Sequence, residues 1–186
     1  FKKIYIFARL KILEMKSDSK YKIEFAGLKI GSHQFNFNAD KKFFDRFNFS
    51  DFNDVSVNIE IDLTKKSTLL ELEFILKGVV NVNCDLTNEP FDFQIKHEAS
   101  LVVKFGQEYN DEDDEILVLP HGEHKLYVDQ YIFELIVLSL PPKRIHPGVE
   151  DGSLKSEILD ILEDLKPKEN SKLADPRWDK LKSLKR

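Results

Sequence analysis

Apolar and polar positions alternate with period two over several stretches of the chain, and each such stretch predicts a strand with one inward face. Residues 21–28, YKIEFAGL, alternate as far as Gly27, which marks a turn. HQFNFNA at 33–39 sets Phe35 and Phe37 on one side. VSVNIEIDL at 55–63 alternates strictly, and TLLELEFILKGVV at 68–80 aims Leu70, Leu72, Phe74 and Leu76 the same way. FDFQIKHEASLVVKF at 91–105 predicts a further long strand, joined to the one before it by a hairpin through Asp85–Pro90. A short strand, ILVLP, is expected near 116–120.

Elsewhere the spacing is helical. Asp40 is placed to cap a short helix, DKKFFDRF, whose Phe43, Phe44 and Phe47 meet on one side. VDQYIFELIVLSLP predicts a largely buried helix near 128–140, stopped by Pro141 and Pro142. SEILDILEDL at 156–165 gathers Ile158, Leu159, Ile161, Leu162 and Leu165 into a second amphipathic helix. Between strands, EYNDEDDE at 108–115 holds six acids and no base, the pattern of a solvated loop. Strands come first and helices later, so the expected fold class is α+β, a mainly antiparallel sheet with a few helices.

Three regions follow from this pattern. Residues 15–166 read as one α+β domain. Residues 1–14, FKKIYIFARLKILE, are basic and apolar, and the sole methionine, Met15, stands just after them. They are expected to be an upstream extension; the alternative is an amphipathic basic arm that touches RNA or lipid. Residues 167–186 read as a flexible linker and a basic segment.

Composition narrows the chemistry. One cysteine, Cys84, forbids an internal disulfide and an all-cysteine zinc site, and suits a reducing, cytoplasmic setting. No stretch approaches the ~20 apolar residues of a membrane-spanning helix. The net charge of −5 excludes a uniformly basic footprint, so contact with a polyanion must come from a local cluster. Fifteen phenylalanines make that residue a principal core filler.

Candidate catalytic chemistry is sparse. His121, His124 and His146 could hold zinc if the fold gathered them, but Pro120 and Gly122 put the first two in a turn that does not fix their rings. Cys84 with His97 could form a thiol nucleophile, yet the alternation favours a buried strand cysteine. No phosphate-binding loop, dinucleotide turn or nucleophile elbow is present. The expectation is a protein that is not an enzyme and takes no cofactor or metal.

The basic cluster lies at the C-terminus. From Pro176 to Arg186 there are five bases, Arg177, Lys180, Lys182, Lys185 and Arg186, against one acid, Asp179. Asp175 can cap a helix that starts with Pro176, on which Trp178, Leu181 and Leu184 share a side. Trp178 then either serves a partner or docks on the protein's own surface.

Three segments together, GVVNVNCDLTNEPFDFQI, YIFELIVLSLPPKRIHP and DPRWDKLKSLKR, resemble the bacterial YceD family, the large ribosomal RNA subunit accumulation proteins. In that family a strand enters a C-x-R-C turn. Here Cys84 matches the first cysteine and Thr87 stands at the second, with Asp85 and Pro90 in the same turn. Some relatives carry further cysteines where this chain has Lys143, Arg144, Ile145 and His146. A metal-linked role of those cysteines therefore does not carry over. The resemblance implies a non-enzymatic ribosome-assembly factor supporting synthesis, processing or stability of 23S rRNA. Its partners would be that RNA or its precursor, a large-subunit ribosomal protein, or both. The alternative is a chaperone-like module that holds a basic ribosomal protein without touching RNA, using Glu108 to Glu115 and neighbouring surface.

Overall fold

A computed structural model describes residues 20–113 and 115–165. The linker, the basic C-terminal segment and residues 1–14 lie outside them. The chain divides after His146 into two compact units.

In the first unit the alternating stretches become a six-stranded sheet. Its strands are β2 (Gly31–Asp40), β3 (Asp54–Lys65), β4 (Leu69–Asn83), β5 (Pro90–Gly106), β6 (Asn110–Asp113) and β7 (Ile116–Pro120), in the order β2-β3-β4-β5-β7-β6. Strands β2 to β5 form an antiparallel meander in unbroken register, with Ile59 opposite Leu76, Ile61 opposite Phe74 and Leu63 opposite Leu72. One face therefore collects Val57, Ile59, Ile61, Leu63, Leu70, Leu72, Phe74 and Leu76, all buried. Burial of each such side chain is worth roughly 1.5–3 kcal/mol. Gly78, opposite Val57, has no side chain because none fits: a Cβ there would stand 2.6 Å from the Val57 Cα.

The other face is polar, and its residues satisfy one another. Gln34 donates to Glu60, Asn38 to Asn58 (2.9 Å), Asn53 to Asn81 (3.0 Å) and Asn81 to Asp92 (2.7 Å).

The apolar face is covered by phenylalanine. Helix α1 (Lys41–Asp45) starts as expected, the Asp40 carboxylate accepting from the Phe43 N–H at 2.9 Å. It delivers Phe43 and Phe44 to the core. Helix α2 (Asp129–Leu138) brings Phe133, which stacks on Phe47 at 4.4 Å and meets Phe44 and Phe49. Arg46, just past α1, reaches the buried Asp129 carboxylate at 3.4 Å.

Three expectations need correction. The stretch 21–28 gives only a two-residue strand, β1 (Lys22–Ile23), because its partner β8 (Leu126–Tyr127) is equally short. Tyr21, Ile23 and Phe25 still point inward, and Leu28 N–H closes a turn onto the Phe25 carbonyl. The acidic run is not a plain loop. Its Asn110–Asp113 form β6, an exposed edge strand against β7, while β7 lies parallel to β5 with Val102 opposite Ile116. An N–H···O bond of 2.8 Å from Val102 to Glu115 leads into that pairing. Finally, α2 is buried on one side only: Ile132 and Ile136 are sealed, but Leu138 is 74% exposed.

The second unit contributes α3 (Pro147–Glu150) and α4 (Glu157–Asp164). Among the described residues, no helix is long and apolar enough to cross a membrane.

Candidate functional site

Cys84 follows the last residue of β4 and begins the hairpin turn into β5. The turn is closed by two bonds of 2.8 Å, Cys84 N–H to the Glu89 carbonyl and Asn88 N–H to the Cys84 carbonyl. Asn88 adopts φ 59°, a left-handed conformation that asparagine tolerates better than most residues. Pro90 is the first residue of β5, opposite Asn83, so the turn proper runs from Cys84 to Glu89.

The segment after α2 returns to this turn. The Asp85 N–H donates to the Arg144 carbonyl at 2.8 Å, and the Arg144 N–H donates to the Asp85 carboxylate at 2.6 Å. The Arg144 guanidinium completes the clamp at 3.6 Å from the same carboxylate. Two residues further, the His146 N–H donates to the Cys84 sulfur at 3.3 Å, and the His146 ring meets Phe91 edge-on at 5.3 Å. Two stretches of sequence about sixty residues apart thus form one knuckle.

The thiol sits in an unusual balance. Burial pushes its pKa up, but the Thr87 hydroxyl and the N–H groups of His146, Thr87 and Leu86 favour the thiolate and hold the pKa below the ordinary thiol value. Thr87 is itself buried, and its hydroxyl also receives the Glu89 N–H at 3.4 Å. The residue at the second-cysteine position therefore serves the first as a hydrogen-bond donor.

Of the three candidate zinc histidines, only His146 belongs to this arrangement. His121 and His124 are exposed in a turn at Gly122 (φ 98°), and His124 Nδ1 lies 3.4 Å from the Gly122 carbonyl. Among the described residues, no three His, Cys, Asp or Glu side chains gather where a metal could sit. His97 pairs with Leu76, eight residues along β4 from Cys84, or roughly 27 Å of strand. They form no catalytic pair. Sequence reasoning singled out Cys84, Asp85 and Pro90 but missed Thr87 and Arg144 as their partners. The only hint was that Lys143–His146 matched positions where relatives carry cysteines. Arg177, Trp178, Lys180, Lys182, Lys185 and Arg186 lie outside the described residues.

An α+β domain whose hairpin turn is clamped to a segment far along the chain is the class this geometry defines. The family model of the large ribosomal RNA subunit accumulation protein YceD matches residues 72–185, more than half of the chain. The chain belongs to the YceD family, and its role lies in the accumulation of large-subunit ribosomal RNA. No curated protein and no solved structure matches it.

Proposed function

We propose that the protein is a cytoplasmic, non-enzymatic ribosome-assembly factor of bacterial type, which contacts the precursor of 23S rRNA through residues 176–186. The observation that carries this reading is the extent of the family match, which runs from β4 through the Cys84 knuckle and on to residue 185. The matched span takes in residues 176–185, where four of the five bases of the cluster lie. The polar sheet face supports it by contrast. Glu60, Asp62, Glu71, Glu73, Asp92 and Glu98 outnumber Lys77, Lys96 and Lys104 on the outward strand positions, so that face repels phosphates. Five bases on the tail would instead neutralise backbone phosphates, while Trp178 stacks on an unpaired base.

The test is binding of a transcript of the 23S precursor at several salt concentrations. Replacing Arg177, Lys180, Lys182 and Lys185 together by Ala should weaken binding and flatten the salt slope by about three. Trp178→Ala should cost ~1–3 kcal/mol and leave the slope nearly unchanged. Equal binding by wild type and both variants would overturn the assignment.

A further inference from the structure

Helix α4 presents an apolar stripe to solvent. Ile158, Ile161, Leu162 and Leu165 recur at i, i+3, i+4 and i+7 and are 42%, 57%, 38% and 72% exposed; no residue of the helix is buried. Eight residues make a marginal helix in water, where helical segments gain most of their stability by packing such a stripe. The rest of α4 is acidic. Glu157, Asp160, Glu163 and Asp164 are its only charged residues, and the last two stand at the negative end of the helix dipole, where cations are favoured.

A matching segment follows in the same chain. Pro176 to Arg186 carries five bases against one acid, with Trp178, Leu181 and Leu184 spaced three apart. Residues 166–174 can span up to ~30 Å, ample to reverse direction beside a helix of ~12 Å. Tethering makes the encounter intramolecular, at an effective concentration near the millimolar range. Charge and apolar spacing complement one another.

We infer that, in the free protein, residues 175–186 dock on the Ile158–Leu165 stripe of α4, so that the tail is withheld until RNA displaces it. The inference rests on the tail being the RNA contact and adds a regulatory partner within the chain. The bases that would meet phosphate are then occupied by the carboxylates of α4, and Trp178 by its isoleucines and leucines. RNA competes for both.

Trp178 is the only tryptophan, so its fluorescence in the full chain without RNA reads the docking directly. Expected for the wild type are an emission shifted to the blue of free tryptophan and protection from acrylamide quenching. A double variant, Ile161→Asp with Leu165→Asp, should expose the indole, and both positions are too open for the change to threaten the core. Asp160→Lys with Asp164→Lys leaves the stripe intact and should release the tail as well. Either release should tighten binding of the 23S precursor transcript roughly tenfold, for a tail about nine-tenths docked. A solvent-exposed indole in the wild type, or shielding that neither double variant changes, would overturn the docking. Released fluorescence without tighter RNA binding would overturn the withholding. If no form of the protein binds the transcript, the RNA assignment fails, while fluorescence still decides the docking.

Discussion

The Arg46 guanidinium reaches across 83 residues of sequence to stand 3.4 Å from the Asp129 carboxylate, joining the end of α1 to the first residue of α2. Asp129 is nearly sealed from solvent, whereas Arg46 is one-third exposed and lies 5.9 Å from the centre of the Tyr21 ring. The carboxylate also faces the positive end of α2, so two favourable charges hold a buried acid. Removing the arginine leaves that acid short of a partner.

Arg46→Ala should therefore destabilise the fold by about 1–3 kcal/mol, the lower end reflecting the solvent screening of a partly exposed pair. Urea unfolding of the two proteins measures it. Arg46→Lys should recover only part of the loss, because a point charge replaces a planar fork.

Gly78→Ala should cost about 2–3 kcal/mol, since the added methyl runs into the β3 backbone and a packed sheet yields little. Gly27→Ala is the control. Its Cβ would meet nothing within 4 Å, so the unfolding midpoint should hardly move.

The Cys84 thiol ties stability to pH. Its folded pKa lies below the ordinary value of 9.0, so the thiolate is favoured in the native state. That contribution is absent below the folded pKa, grows as pH rises through it, and is complete above the unfolded pKa. Wild type should accordingly gain stability relative to Cys84→Ala as pH is raised from neutrality toward 9.0. Thr87→Val removes one of the donors and should shrink that gain, as thermal melts across the pH series would reveal.

Asp85→Ala removes the acceptor of the Arg144 N–H and the carboxylate beside its guanidinium. A loss of about 1–2 kcal/mol is expected for a bond at a half-exposed site. The same change should loosen the segment that covers Cys84, and alkylation of the folded protein by iodoacetamide should run faster. Unchanged alkylation would show that the clamp does not control access to the thiol.

The strands most legible in the sequence are those whose neighbours are adjacent in the chain. β3, β4 and β5 alternate strictly because one face is core and the other solvent, and the Asp40 cap is a local signal read over three residues. The placement of β7 was not legible. ILVLP announces a strand but not its neighbour, and the parallel insertion beside β5 depends on β6, whose residues are all exposed and have no inward face to set a period. The knuckle was half legible. Cys84, Asp85 and Pro90 stood out as turn residues, but the bonds to Arg144 and His146 are made mostly by backbone groups, which carry no residue signature. The bases proposed to contact RNA fall within residues 176–186, where charge alone singles them out in the sequence.

Strand β6 ends the sheet with Asp111, Glu112 and Asp113 along its exposed outer rim. A free rim of that kind invites another chain to add a strand, the first step of aggregation. Here an incoming copy would bring its own three carboxylates against these at inter-strand spacing, about 5 Å. Sheet growth from this side is thus self-defeating near neutral pH.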